Sequence, residues 1–246
     1  MGAFRVAIYG IMAAVFTYTL VYDILYMPRI GHTWWIYKLI MLTNINLVLQ
    51  TSYYVVCLIC SAMDVLIEES DHGPHTRHPS APSYWRKNRL RIICDFMYYT
   101  SAFPVGTVTC ALFWLLYAIN PQLVMPDWIS RLIPPFMNHV THTAPVAFIL
   151  VDTLLTCHHA PPRTTGLLIS FCLATFYFLI ILMVRLIDGY WIYPLLEILS
   201  PVYFILLYIS SCVGFCLLYL TVDCLNAVLW GRAPHALISP DKPKKR

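Results

Sequence analysis

The run Thr165-Gly-Leu-Leu-Ile-Ser-Phe-Cys-Leu-Ala-Thr-Phe-Tyr-Phe-Leu-Ile-Ile-Leu-Met-Val-Arg-Leu-Ile187 decides the fold. A helix rises about 1.5 Å per residue and needs about 20 apolar residues to cross the hydrocarbon of a bilayer. This run meets that length with one charge, Arg185, close to its end. It is continuously apolar, whereas strands of a membrane barrel alternate. Working outward, 6–27, 36–66, 93–119, 134–155 and 201–230 read the same way, which gives six expected transmembrane helices. The chain is 59% hydrophobic and 11% charged, with a mean hydropathy of +0.68. A soluble domain carries about 25% charged residues, and one soluble core of this size cannot hide so much apolar surface. The expected architecture is all-α: a single polytopic membrane domain over 1–246, with a polar loop at 67–92 and a basic tail at 231–246.

Orientation follows from the cationic residues, which favour the cytosolic side. Placing both termini in the cytosol puts twelve of the sixteen Lys and Arg on that side, leaving Arg29, Lys38, Arg131 and Arg185 opposite. Five of the seven Trp (34, 35, 114, 128 and 191) then fall at the lumenal boundary as an aromatic belt. The first stretch is too long for a cleaved signal peptide and reads as an uncleaved span. The tail, Asp241-Lys-Pro-Lys-Lys-Arg246, places Lys244 and Lys242 third and fifth from the end. That spacing fits a dilysine retrieval signal of the endoplasmic reticulum or a stop-transfer cluster, with the plasma membrane as the other destination. The net charge of +4 is loop asymmetry facing anionic lipid, so membrane lipids are expected partners and nucleic acid is not. Nine Cys in or beside spans, several at helical spacing, read as packing thiols rather than a zinc set. His72, His75 and His78 recur every third residue in the 67–92 loop and read as a solvated segment.

Ionisable and polar side chains inside spans are costly and mark function by default. Thr43, Asn46 and Gln50 share one helical face with Leu47. In the fourth stretch, Asn138, His139 and His142 cluster on one side, between Pro134-Pro135 at the start and Pro145. Both groups lie roughly 10–12 Å below the lumenal end of their spans. A Thr hydroxyl needs an adjacent base to act as a nucleophile, and imidazole is the side chain best poised for that near neutral pH. Asn46, Asn138 and His139 are candidates to hold an oxyanion or orient the pair; Gln50 and Glu197 are candidate supporting residues. No Gly-x-Ser-x-Gly elbow competes.

These residues fall in blocks that resemble the androgen-induced-gene family of multi-pass membrane proteins. The blocks are Leu42-Thr43 with Leu47-Val48 and Gln50; Phe103-Pro-Val-Gly106; Phe113-Trp-x-x-Tyr-Ala118; and Asn138-His-x-x-His-Thr143. After them come His158-His159 with Pro162-Arg163 and Gly166, and Trp191-x-Tyr-Pro-x-x-Glu197, all in family order over about 38–230. The resemblance implies an atypical threonine hydrolase that cleaves fatty acid esters of hydroxy fatty acids. It maps the nucleophile to Thr43 and its partner to His142, with no cofactor and no metal. The chain departs at Asn46, where relatives often carry Asp, and at Arg185-Leu186, where some carry a His pair; the first bears on activation of the nucleophile and the second on substrate preference. Two other classes compete. A haem or metal redox protein needs opposed deep His on separate helices, and only the fourth stretch carries them. A lipid sensor or channel would draw on Asp23, Asp64, Asp95, Asp152 and Asp223, most of them near predicted span ends. His158 and His159 read as an interfacial helix end.

Overall fold

The computed structural model describes residues 2–29, 34–70 and 89–231, and every regular element among them is helical. In order these are α1 (Gly2–Tyr26), α2 (Trp34–Leu39), α3 (Leu42–Ser70), α4 (Arg89–Met97), a π-helical turn (Tyr98–Ala102), α5 (Phe103–Ile119), and a 3-10 turn (Pro121–Leu123). They continue as α6 (Asp127–Ser130), α7 (Pro135–His142), α8 (Ala144–Leu155), α9 (Arg163–Asp188), α10 (Pro194–Ile198) and α11 (Pro201–Trp230). Five helical stretches are long and apolar enough to cross a membrane: Gly2–Tyr26, Leu42–Leu66, Arg89–Ile119, Arg163–Asp188 and Pro201–Trp230. The protein is a multi-pass membrane protein.

The expected fourth span, 134–155, is not one helix. It is broken into α7 and α8, of 8 and 12 residues, each too short to span hydrocarbon by itself. Pro145 has no N–H to give the carbonyl four residues back, and its ring crowds that carbonyl. Thr143 accordingly leaves the helical region at φ −126°, ψ −48°. The expected 36–66 span is also divided. The chain tightens at Ile40 and Met41, where Met41 N–H bonds Lys38 O at 3.2 Å, and α3 starts afresh at Leu42. The third span runs from Arg89 to Ile119 through a π turn, in which the Phe103 N–H reaches back to Tyr98 O. Pro104, which lacks an N–H, follows directly. Most of the 67–92 loop, with the three His, and the basic tail lie outside the described residues, since α3 continues to Ser70 and α4 begins at Arg89.

Two packing layers place the site. α1 lies along α3, and α9 along α11, while α5 touches α3, α7, α8 and α11. The larger core joins Tyr9, Phe16, Tyr54, Tyr98 and Ile149, with Phe16 stacked on Tyr54 at 5.5 Å and Phe148 edge-on to both. A smaller core of Val105, Ala174, Cys212 and Phe215 binds α5 to α9 and α11. Outward faces carry large exposed apolar side chains such as Leu168, Phe176, Val202 and Val228, as a lipid-facing surface requires.

Candidate active site

The break before α3 determines what Thr43 can do. Six helical Thr close on themselves: Thr19, Thr51, Thr100, Thr141, Thr153 and Thr221 each donate to the carbonyl four residues back, at 2.7–2.9 Å. For Thr43 that carbonyl belongs to Leu39, on the far side of the break. Its Oγ1 instead lies 3.2 Å from His142 Nε2.

His142 ends α7 and is 7% exposed. Its ring stacks on Phe113, with centroids 3.7 Å apart and planes 13° from parallel. Around Nδ1 stand three oxygens: Asn138 Oδ1 at 2.9 Å, Asn138 O at 3.1 Å and Thr141 Oγ1 at 3.0 Å. The Thr141 hydroxyl hydrogen is committed to Met137 O at 2.9 Å. With acceptors on that side, Nδ1 carries the proton and the Nε2 lone pair faces the Thr43 hydroxyl. The break at Thr143 also frees the His142 carbonyl, which accepts from Trp114 Nε1 at 2.8 Å. Consecutive residues of α5 thus hold both the ring and the backbone of this histidine.

Asn46 and Gln50 are fully buried below Thr43 on the same face. Gln50 Nε2 donates to Asn46 Oδ1 at 3.1 Å and to Ala102 O at 2.9 Å. Asn46 Nδ2 and Gln50 Oε1 are left without partners. Gly106 makes room for this arrangement, since a Cβ there would stand 2.6 Å from Gln50 Nε2 and 2.9 Å from Ile149 Cδ1. Asn138 meets His142 on the Nδ1 side of the ring. His139 is turned out: it is exposed, its Nδ1 is 3.4 Å from Thr143 Oγ1, and its ring lies along Trp114. Glu197 is exposed on α10 and shares no described contact with Thr43 or His142.

A second polar cluster escapes the sequence reading. His158 is not an interfacial residue: it is 1% exposed and stacked on Tyr98 at 3.9 Å. Its Nδ1 meets Asp95 Oδ1 at 2.9 Å and its Nε2 meets Asp152 Oδ1 at 3.2 Å. Asp152 also accepts from the Tyr9 hydroxyl at 2.5 Å and from the Tyr53 hydroxyl, and Asn226 bonds both backbone groups of His158. Burial by itself pushes the imidazolium down, but Asp152 and Asp95 outweigh it and hold His158 up to about 9. The cluster ties α1, α3, α4, α8 and α11 together, with its donors and acceptors turned on each other. Asp23, another of the carboxylates within the expected spans, pairs with Lys38 at 2.7 Å. Among the described residues no three His, Cys, Asp or Glu stand together as a metal site.

A family model described as "FAR-17a/AIG1-like protein" matches residues 5–227. The chain is 29% identical over 203 residues to the human "Androgen-induced gene 1 protein", covering 82% of each. It is 30% identical over 192 residues to the rat "Androgen-dependent TFPI-regulating protein", covering 77% of this chain and 76% of the relative. No solved structure matches.

Proposed function

The chain belongs to the FAR-17a/AIG1-like family, and on that footing we propose that it is an intramembrane lipid ester hydrolase. Its nucleophile is Thr43, its base is His142, and its substrates are fatty acid esters of hydroxy fatty acids. The observation that carries the reading is the 3.2 Å approach of Thr43 Oγ1 to His142 Nε2, with every group around Nδ1 an acceptor. In the proposed reaction Oγ1 attacks the ester carbonyl carbon as Nε2 takes the hydroxyl proton. The charge that develops on the carbonyl oxygen is met by Asn46 Nδ2, a buried donor with no other partner. Collapse breaks the ester C–O bond, and the imidazolium returns its proton to the departing hydroxy fatty acid. Water, deprotonated at Nε2, then attacks the acyl-threonine and releases the fatty acid. Exposed apolar faces around the bundle suit a substrate that reaches the pair from the lipid, and the endoplasmic reticulum is the proposed membrane.

The test is hydrolysis of such an ester by purified protein in detergent micelles. Thr43→Ala and His142→Ala are each expected to lower turnover by a factor of about 100 or more. For Thr43→Ala, expression and thermal stability should stay near those of the parent, and labelling by a fluorophosphonate probe should vanish with Thr43. Turnover at the parent rate in Thr43→Ala refutes the reading.

A further inference from the structure

The turn that presents Thr43 is held by two phenols from elsewhere in the chain. The backbone N–H of Leu42, which has no helical partner at the start of α3, donates to the hydroxyl oxygens of Tyr177 and Tyr193, each at 3.0 Å. Tyr177 passes its own hydrogen to Ile40 O at 3.3 Å. Tyr193 therefore gives its hydrogen to the Tyr177 oxygen, 2.7 Å away. One small circuit closes the carbonyl on one side of the break and the amide on the other.

The two phenols have different origins. Tyr177 stands on α9, whereas Tyr193 lies beyond the end of that helix. Gly189 lets the chain turn there at φ +76°, and Pro194 keeps Tyr193 extended at φ −120°, ψ 134°. The circuit thus couples the α9–α10 turn to the residue next to Thr43.

Without it, an uninterrupted helix is the favoured course for so apolar a stretch, because unpaired backbone groups are expensive in hydrocarbon. In that helix the Thr43 hydroxyl would come within reach of Leu39 O, as Thr51 on the same helix reaches Leu47 O at 2.7 Å, and leave His142. Resting on the hydrolase reading above, we infer that Tyr177 and Tyr193 are positioning residues for the nucleophile, keeping the 40–42 break open so that Thr43 faces its base. They touch neither the imidazole nor the ester in this scheme.

The decisive comparison is among the parent, Tyr177→Phe, Tyr193→Phe and the double variant, which retain both rings and lose only hydroxyls. Two quantities are read: kcat and KM for the ester in micelles, and hydrogen–deuterium exchange of the 39–44 segment. Each single variant keeps one phenol on the Leu42 amide and should lose little. The double variant should lose kcat by about tenfold or more, with KM within about twofold, because only the attack geometry changes. Its Leu42 amide should exchange about tenfold faster while α9 and α11 exchange as before. A double variant that keeps kcat within about twofold, shifts KM alone, or leaves Leu42 exchange unaltered overturns the inference. If the parent turns over no ester, it is the hydrolase reading that fails, and exchange at Leu42 alone decides whether the phenols hold the turn.

Discussion

Asp152→Asn keeps the shape of the buried carboxylate and removes its charge, so it probes the His158 cluster with little change of volume. Asp152 Oδ1 accepts from Tyr9 and from His158 Nε2, while Oδ2 accepts from Tyr53. An amide offers one oxygen. Its best orientation keeps Oδ1 for Tyr9 and His158 and sets an NH2 group against the Tyr53 hydroxyl. The variant loses one bond to a charged acceptor, worth about 1.5–3 kcal/mol. It also loses half of the counter-charge of the imidazolium, whose other partner is Asp95. Removing one partner from a buried pair costs about 3–5 kcal/mol, and the surviving Asp95 contact places this case at the low end. At about 2–4 °C per kcal/mol for a chain of this size, Tm in detergent micelles should fall by roughly 10 °C. Ester turnover at 20–25 °C, well below the transition, should persist, since no described hydrogen bond links the cluster to Thr43 or His142. A Tm within about 2 °C of the parent refutes the reasoning, for it would mean that packing rather than charge holds this end of the bundle.

The same cluster gives a pH dependence with a definite sign. His158 titrates at about 9 in the fold, above its ordinary range near 6.5, so the folded chain binds that proton more tightly. Its stabilisation is complete below about pH 6.5 and is lost as pH rises through about 9; Tm should drop across that window, and less so in His158→Gln. Asn138→Ala removes the 2.9 Å contact to His142 Nδ1 but leaves the Asn138 and Thr141 oxygens, so turnover should fall by only about tenfold, measured beside His142→Ala. Gly106→Ala forces a methyl against Gln50 Nε2 and Ile149 Cδ1, both fully buried, and should cost about 1–3 kcal/mol by thermal scan.

Much of the arrangement was legible in the residues. The run at 165–187 predicted a spanning helix, and the chain forms one from Arg163 to Asp188. Equal depth on separate spans suggested that Thr43 and His142 meet, and they lie in contact. The breaks were harder to read. Hydropathy sees 36–66 and 134–155 as continuous, because a helix interrupted inside a bundle keeps its apolar composition and only its hydrogen-bond partners change. Pro145 was a visible warning for the second break; nothing local warned of the first, whose phenols come from Tyr177 and Tyr193. His139 and His142 share a helical side by spacing, yet only one faces inward, since that choice depends on how α7 is turned against α5. The His158 cluster was hidden for a similar reason. A His-His pair at the end of a span looks interfacial until Asp95 and Asp152 are known to converge on it, and Asp95 stands 63 residues away.

The π turn at Tyr98–Ala102 has a consequence for everything that follows it on α5. Each residue added to or removed from a helix rotates the remainder by about 100°, and a π turn accommodates one extra residue within a single turn. Phe113 and Trp114, which grip the ring and the carbonyl of His142, inherit their azimuth from that turn. Deleting one residue between 98 and 102 would leave α5 just as apolar and just as able to span, but would swing the Phe-Trp grip about a quarter-turn away. The phase of this helix, more than its composition, sets where the imidazole stands.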